Sequence, residues 1–265
     1  MRAYLRDRVV TMMQSLAFAL VFAVASASAA QFDDCKDVVK MGIPSKTGTP
    51  LCRMGYALAH DPVKKTPIWV AERLTKDRAR GKLDRSDDFR PDPDLPTGRR
   101  AELADYKSAS SKYDRGHMSP AANNAWDKDA MSESFYLSNM VPQVGPGMNR
   151  GIWKQLESYV RDWAKTRGEV YIYTGPIYPR GIPWKTIGKN KVGVPVALYK
   201  IVYDPNANEA IAFIMPNKKL RTKDMPDYIV TISDVEKQTG LTFLTELSAN
   251  EKGAIHKKKA DWVLH

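Results

Sequence analysis

The sequence predicts an α+β protein in which a mixed, mostly antiparallel sheet is packed against helices. The chain has 265 residues, of which 43% are hydrophobic and 27% charged. It is therefore long enough to bury a large core and close to an average globular composition. Short β-branched and aromatic runs are mixed with segments of helical periodicity, without a strict βαβ rhythm. Disordered, collagen-like and multi-span membrane proteins are excluded as classes.

The first thirty residues predict a signal for export. Three arginines precede an apolar run over residues 16–25, and small residues follow it, which is the layout of a cleaved secretory signal peptide. The alternative is a membrane anchor, but the run is shorter than the about 20 residues that span a bilayer. We expect removal of residues 1–30, one domain over 31–265 with its core at about 50–245, and a secreted or periplasmic protein without stable membrane association.

Export would place Cys35 and Cys52, the only cysteines in the sequence, in an oxidising compartment. An oxidising compartment favours a disulfide between an even pair of nearby cysteines. Closing a loop of this size contributes about 3 kcal/mol in the chain-entropy account. Two buried thiols are the alternative. Two cysteines are too few for a four-cysteine zinc site, and four histidines argue against a multi-histidine metal cage.

The first half of the chain predicts strands separated by long loops. A strand begins at residues 67–71, where Pro-Ile-Trp-Val-Ala stand in a row. Residues 84–100 are rich in Asp, Pro and Arg and predict a long loop. Residues 135–138 are strand-like and lead into a second loop at Pro142 and Gly145.

The second half predicts one long helix, three strands and a later helix. Apolar residues recur at helical spacing between residues 149 and 167, with Trp153 and Trp163 on the apolar stripe, and Gly168 ends the pattern. The predicted strands are 170–173, 194–203 and 209–215. Ser233 and Glu236 have capping-box spacing for a helix that stops at Gly240.

The positive charge is unevenly distributed. The formal net charge is +11, and residues 180–223 hold nine basic residues against Asp204 and Glu209, a local charge of +7. A solvated face is the alternative reading of this stretch. A bias of this size favours a polyanionic partner.

The segment YDRGHMSP, residues 113–120, is the strongest candidate for a catalytic site. It places the imidazole of His117 beside the guanidinium of Arg115, with Gly116 between them to let the backbone turn. An unperturbed imidazole is roughly three quarters neutral at pH 7 and can therefore accept a proton. A lone histidine is more often structural than catalytic, so this segment alone leaves both roles open.

Three sequence motifs occur in the order and at the spacing that are typical of one known family. They are D-R-G-H at 114–117 with Pro120 after it, R-S-D-D-F-R-P-D at 85–92, and the segment 135–163 with its S-N-M-V-P-Q and N-R-G-I-W-K-Q-L-E runs. Together they resemble the DNA/RNA non-specific endonucleases, in the ββα-metal group of nucleases. The resemblance covers about residues 50–245 and implies a ββα-metal active-site motif.

The resemblance also implies roles for the central residues. His117 is expected to be the general base that activates water, and Asn149 the ligand of the metal. Glu157 follows eight residues later, about 12 Å along an ideal helix, so it is expected to hold a metal-bound water. The alternatives are that Asn149 only caps the helix and that Glu157 only pairs with Arg161 at the helix surface.

Two arginines are expected to stabilise the charge on the phosphoryl oxygens. Arg115 belongs to the D-R-G-H block. Arg85 belongs to the upstream block, where Arg90 is a nearby competitor. Asp114 is expected only to brace the loop.

The resemblance implies an exported, Mg²⁺-dependent endonuclease, with Mn²⁺ as a substitute, that leaves 5′-phosphate ends. Contacts to the phosphate backbone predict little base specificity, with both DNA and RNA as substrates. One alternative is a secreted nucleic-acid-binding protein without catalysis. The other is a phosphodiesterase of the same fold with another substrate. Intact His117, Asn149, Glu157 and Arg115 argue against the first, and the basic stretch against the second.

Overall fold

The structure is a computed structural model that describes residues 30–109, 112–258 and 262. These residues contain eleven strands and five α-helices. The strands are β1 (Thr49–Cys52), β2 (Tyr56–Asp61), β3 (Thr66–Thr75), β4 (Tyr113–His117), β5 (Met140–Val144), β6 (Glu169–Ile177), β7 (Thr186–Ile187), β8 (Val192–Gly193), β9 (Ala197–Asp204), β10 (Glu209–Pro216) and β11 (Ile229–Val230). The helices are α1 (Leu103–Lys107), α2 (Lys128–Glu133), α3 (Lys154–Arg167), α4 (Ile232–Thr239) and α5 (Ala249–Ile255). The predicted signal peptide lies, up to residue 29, outside the described residues. Within them, no helix combines the length and apolar character that crossing a bilayer requires.

Seven strands form one sheet in the order β1-β2-β3-β6-β9-β10-β11. Every neighbouring pair in it is antiparallel. The predicted strands at 67–71, 170–173, 194–203 and 209–215 correspond to its four central strands. The prediction of an α+β fold with a mostly antiparallel sheet is confirmed.

The two faces of the sheet are packed differently because side chains alternate along each strand. One face carries Val70, Ile172 and Val202 and packs against α3. The opposite face carries Trp69 and Tyr173 and packs against the N-terminal segment and α4. The face under α3 is the one from which the candidate site is built.

The strand predicted at 135–138 is wrong. Residues Leu137–Asn139 form a single 3₁₀ turn, and the strand begins only at Met140. The buried amide of Asn139 donates to the carbonyls of Ser119 and Ser134. These tertiary hydrogen bonds hold the chain in a turn although its residues have β propensity.

The long helix begins later than predicted. Residues Gly145–Trp153 form a π-type turn that is interrupted by Gly147, with φ of 78°, and by Gly151, with φ of −122° and ψ of −110°. The regular helix α3 starts at Lys154 and ends at Arg167, with Gly168 as its C-cap. Asn149 is therefore not the N-cap of α3, and the ideal-helix spacing between Asn149 and Glu157 does not apply.

The remaining helix predictions are close. α4 ends at Thr239, and Gly240, the predicted stop, is its C-cap in the left-handed conformation with φ of 76°. Its capping box is formed by Thr231 and Asp234, two residues before the predicted pair. Trp153 and Trp163 are buried in the core as predicted.

Cys35 and Cys52 form a disulfide, as predicted, with their Cα atoms 5.7 Å apart. The bridge ties the N-terminal helical turn to β1, which is the edge strand of the main sheet. It therefore anchors the start of the described chain on the edge of the sheet.

Replacing both cysteines with alanine is expected to lower the free energy of unfolding by about 3 kcal/mol, because the bridge restricts the unfolded chain. Urea unfolding of the two proteins checks this value. Equal stability of the two proteins would contradict the prediction.

Candidate active site

Two short strands and α3 carry most of the predicted site residues. β4 and β5 pair antiparallel, with His117 opposite Met140 and Asp114 opposite Gln143. β5 leads through the π-type turn into α3. The order of elements is the ββα unit that the resemblance implies.

Gly116 is required for close packing rather than for a turn. It lies inside β4, where a Cβ atom would come 2.2 Å from Oε1 of Gln143 and 2.6 Å from its Cβ. The buried side chain of Gln143 thus occupies the space of any larger residue. The prediction that Gly116 lets the backbone turn is wrong.

His117 is held between two phenylalanines. Its ring centroid is 5.5 Å from that of Phe89 and 5.1 Å from that of Phe135, both in edge-to-face geometry. Only 8% of the residue is exposed, and Nε2 is buried without a hydrogen-bond partner among the described residues. Burial, aided by Arg85 and Arg115, lowers the pKa of His117 to about 3. The imidazole is therefore neutral throughout the physiological pH range, more completely than an unperturbed histidine.

The same two phenylalanines carry the arginines that flank the imidazole. The guanidinium carbon of Arg115 lies 3.8 Å from the ring centroid of Phe89, and that of Arg85 lies 4.7 Å from that of Phe135. Cations are attracted to aromatic faces at these distances. Both arginines are exposed. Nε of Arg85 donates to the exposed carboxylate of Asp87 at 2.7 Å, which leaves its terminal guanidinium nitrogens to meet a ligand from solvent.

Arg90, the competitor of Arg85, is occupied elsewhere. It donates hydrogen bonds to the carboxylate of Asp88 at 2.7 Å and to the hydroxyl of Ser132 at 2.9 Å. Its guanidinium also lies 4.2 Å from the ring centroid of Tyr136. Of the two arginines, Arg85 is the one beside His117.

Asp114 orients the side chain of Asn149. Nδ2 of Asn149 donates to Oδ2 of Asp114 at 2.8 Å, and Arg150 approaches the same oxygen at 3.3 Å. Across the described residues, none donates a hydrogen bond to Oδ1 of Asn149. The carboxylate therefore does more than brace the loop, because it leaves the amide oxygen available as a ligand.

The donor set around Asn149 fits a hydrated divalent cation. No group of three or more His, Cys, Asp or Glu side chains that could hold a metal occurs in the described part of the chain. An amide oxygen beside a carboxylate matches the oxygen ligands of Mg²⁺, which keeps several waters when it binds to protein. Asn149 can hold such an ion through Oδ1.

Glu157 lies on α3, half-buried, next to a group of charged side chains. Burial raises the pKa of Glu157 to about 7, while Lys200, Arg161 and Arg85 lower it and Glu72 raises it. Arg161 donates instead to Asn123 at 3.3 Å and to Ser158 at 2.9 Å. No Glu157–Arg161 ion pair within 4.0 Å occurs among the described residues, so the predicted alternative of a close surface pair is not supported, although the charge of Arg161 lowers the pKa of Glu157.

Two cavities meet at Arg85. The first has a volume of about 720 Å³ and is lined by Arg85, Arg115, Asp114, Asn149 and Arg150 among others. The second, of about 480 Å³, is lined by Arg85 and by four further cations, and no carboxylate lines it. These cations are Arg80, Lys82, Arg161 and Lys165.

The basic stretch at 180–223 is not one surface. Lys200 is only 1% exposed and lies in the core, because it occupies an inward position of β9. Arg221 is paired with Asp224 at 2.7 Å. The sequence count therefore overestimates the charge that this stretch presents to a partner.

Sequence reasoning missed the roles of Phe89, Phe135, Asp114 and Lys200. The first three lie inside the three sequence blocks, but their contacts depend on chain segments that meet only in the fold. For Lys200 a signal exists: it is a charged residue in a strand whose other positions are apolar or aromatic up to its last residue.

Comparison with known proteins gives a consistent picture. The family model of the DNA/RNA non-specific endonucleases matches residues 35–250. The chain is 35% identical over 232 residues to nuclease C1 of Cunninghamella echinulata var. echinulata, covering 82% of this chain and 91% of that protein. It is 35% identical over 226 residues to human mitochondrial endonuclease G, covering 80% of this chain and 75% of that protein. A crystal structure of an EndoG/EndoGI complex superposes with a TM-score of 0.76 at 32% identity, covering 82% of this chain and 93% of that chain.

The ring of His117 is expected to stay neutral when the pH is lowered from 8 to about 5, because its pKa is about 3. Its NMR resonances, assigned by their absence from His117→Ala, should not titrate in this range. Arg85→Ala and Arg115→Ala should each raise the pKa, because each removes a cation that disfavours the imidazolium. A wild-type inflection near the ordinary histidine pKa of 6.5 would contradict this assignment.

Proposed function

Because the chain belongs to the DNA/RNA non-specific endonuclease family and is a hydrolytic endonuclease, we propose that it is exported and cleaves DNA and RNA with the help of Mg²⁺. Mn²⁺ is expected to substitute, and the products to carry 5′-phosphates. The observation that carries this proposal is the neutral imidazole of His117 between Arg85 and Arg115, beside the cavity that contains Asn149.

His117 is the proposed general base. Nδ1 is the ring nitrogen that meets the attacking water, since Nε2 is buried. A pKa of about 3 describes the site without substrate and makes a weak base. A bound phosphodiester brings a negative charge next to Arg85 and Arg115, which offsets the two cations and raises the proton affinity of the imidazole. Base strength thus rises when substrate is in place.

The two arginines are proposed to bind the phosphate under attack. Both are exposed and held by phenylalanine faces, so their guanidinium groups are preorganised beside His117. A fixed guanidinium stabilises negative charge as it grows on phosphoryl oxygens. Arg85→Ala and Arg115→Ala are therefore expected to slow cleavage although they strengthen the base.

A divalent cation is proposed to bind through Oδ1 of Asn149, with Asp114 keeping the amide in that orientation. When bound there, such an ion would supply positive charge for the leaving 3′ oxygen. Glu157 is proposed to hold the ion's hydration shell by accepting hydrogen bonds, which requires its carboxylate form. This supports dependence on Mg²⁺, since oxygen ligands and retained waters suit that ion.

The polynucleotide is proposed to run across both cavities. Their cations contact phosphates, which gives affinity without sequence information. Arg85 lines both cavities and lies at their junction. Because these contacts do not involve the sugar 2′-hydroxyl, they support cleavage of DNA and RNA alike.

Export is proposed from two features. The N-terminal layout is that of a cleaved signal peptide, and the Cys35–Cys52 disulfide suits an oxidising compartment. A periplasmic or secreted location is consistent with both features. Intact mass of the exported protein checks the removal of residues 1–30.

Two substitutions separate the base from the cation ligand. His117→Ala is expected to slow cleavage by about 10²–10⁴-fold, the usual worth of general-base catalysis, while cation binding survives. Asn149→Ala is expected to abolish cleavage because the ion loses its proposed direct ligand. Calorimetric Mg²⁺ titration with a non-cleavable substrate distinguishes the two variants, and plasmid digestion with and without EDTA tests cation dependence itself. Equal cation affinity in both variants would overturn the role of Asn149.

Lys82→Gln with Lys165→Gln is expected to raise KM for plasmid DNA and to reduce the slope of log K against log salt by about 0.9 for each lost phosphate contact. Hydrolysis of bis(p-nitrophenyl) phosphate should stay unchanged, because so small a diester does not reach the second cavity. The matched control is Lys40→Gln with Lys237→Gln, which removes the same charge from segments on the opposite sheet face. Equal effects in the two double variants would show that only net charge matters.

A further inference from the structure

We propose that the first cavity is a nucleoside subsite, in which Tyr113 is the stacking platform for the base of the nucleotide that carries the leaving 3′ oxygen. The cavity has a volume of about 720 Å³ and is lined by Tyr113, Arg115 and Asn149 among others. Its volume is in the range of sites for small molecules. This inference rests on the proposed cleavage of nucleic acid, and it adds a contact to a base to the proposed contacts with phosphates.

Strand alternation places Tyr113, Arg115 and His117 on the same face of β4. Side chains two residues apart share a face of a strand and follow each other at about 7 Å. The ring centroid of Phe89 lies 3.8 Å from the guanidinium carbon of Arg115 and 5.5 Å from the ring centroid of His117. Phe89 also packs against the same apolar cluster as Tyr113. The strand therefore presents an aromatic ring, a guanidinium and an imidazole in a row.

The order of this row gives the direction of the bound chain. In-line displacement puts the attacking oxygen and the leaving oxygen on opposite sides of the phosphorus. His117, the proposed base, is at one end of the row, and the phosphate is proposed to lie at Arg115 in the middle. The leaving 3′ oxygen then points towards Tyr113 at the other end. The nucleoside on that side is the one on the 5′ side of the broken bond.

The position of Asn149 leads to the same direction. Asn149 is the proposed ligand of the cation for the leaving oxygen, and it lines the same cavity as Tyr113. Its amide is oriented by Asp114, the neighbour of Tyr113 in β4. His117 is not among the described residues that line this cavity. The leaving side of the phosphate is therefore the side on which the cavity lies.

The cavity has apolar walls that phosphate binding does not require. Tyr113 is half-buried in β4, and Leu103, at the start of α1, is 41% exposed. Both side chains line the cavity. A flat base packs well on an aromatic ring, and every base has a face that can stack. An aromatic and an aliphatic wall beside the phosphate site thus suit the base that is joined to that phosphate.

Lys112 is the present neighbour of the Tyr113 ring. Its Nζ lies 5.5 Å from the ring centroid, and its side chain is exposed. Contacts between a cation and an aromatic ring are weak at exposed sites, whereas the stacking of a base on such a ring is stronger. A base can therefore displace the ammonium from Tyr113.

The subsite predicts that the enzyme detects the presence of a base without selecting its type. Stacking uses the face of a base and not its hydrogen-bonding edge, so it tolerates all sequences. A residue without a base removes the stacking contact but keeps both phosphates of the chain. An abasic residue is therefore the probe that distinguishes this subsite from phosphate contacts.

The experiment compares two bonds of one single-stranded oligonucleotide that carries a single tetrahydrofuran abasic residue. The bond on the 3′ side of this residue uses its 3′ oxygen as the leaving group, and the bond on the 5′ side uses that of the preceding nucleotide. End-labelled products at early times are compared with those from the same oligonucleotide with thymidine at this position. Because the bonds of one substrate compete, their ratio reports relative kcat/KM.

Wild type is expected to cut the bond on the 3′ side of the abasic residue about 5- to 150-fold more slowly than the thymidine bond, which is the usual worth of one base stack expressed as a rate. The bond on the 5′ side should be cut as in the thymidine oligonucleotide, because its leaving nucleoside is intact. Tyr113→Ala should cut the thymidine bond as slowly as wild type cuts the abasic one, and should cut the abasic bond at the wild-type rate.

The variants separate stacking from a structural role. If Tyr113 only supported the fold, Tyr113→Ala would slow every bond and leave the ratio of the two bonds unchanged. Tyr113→Phe keeps the ring and should keep the wild-type ratio, and Leu103→Ala should reduce the ratio in part. Tyr159→Ala is the matched control, because it removes a half-buried tyrosine that lines neither cavity. Tyr113→Leu preserves more apolar volume and gives the same test if Tyr113→Ala does not fold.

The outcomes separate this inference from the proposed function. Wild type that leaves the thymidine oligonucleotide uncut would overturn the proposed cleavage of DNA. Wild type that cuts it, but with equal effects of the abasic residue on both bonds or a larger effect on the bond at its 5′ side, would overturn the subsite alone. So would a Tyr113→Ala enzyme that keeps the wild-type ratio.

Discussion

The antiparallel pairing of β4 with β5 is the interaction on which the candidate site depends. Side chains on a strand alternate, so a slip of one residue would turn His117 and Arg115 away from Phe89 and would separate Asp114 from Asn149. The contact of Gly116 with Gln143 blocks larger side chains at the centre of the pair. β5 also leads directly into the turn of Asn149 and the helix of Glu157, so one ladder sets the positions of His117, Asn149 and Glu157.

Electrostatics then gives each side chain its protonation state. His117 is neutral because burial and two arginines disfavour its charged form. The pKa of Glu157 is about 7 because burial raises it and nearby cations lower it. Burial is the largest cause in both cases and favours the neutral form of each side chain. The nearby cations add to it at His117 and oppose it at Glu157.

Much of this arrangement could be predicted from the sequence, and the remainder has identifiable physical causes. The central strands and α3 follow from periodicity, and His117, Arg115, Asn149 and Glu157 follow from the resemblance to a family. The irregular turn at Gly145–Trp153 could not be predicted, because helical spacing of apolar residues does not reveal irregular backbone. The burial of Lys200 was not predicted, because a count of charges ignores which face of a strand each residue occupies. The phenylalanine pair around His117 escaped because Phe89 and Phe135 are far apart in sequence and meet only through tertiary packing.

One consequence concerns proteolysis. Phe89 and Arg85 belong to residues 81–89, which have no regular secondary structure, and residues 82–87 are exposed. The segment holds Lys82 and Arg85, the residue types after which trypsin-like proteases cut. A single cut there would release one wall of the imidazole and one of its arginines while the seven-stranded sheet stays intact. A cut in this segment is therefore expected to lower activity while the main sheet keeps its fold.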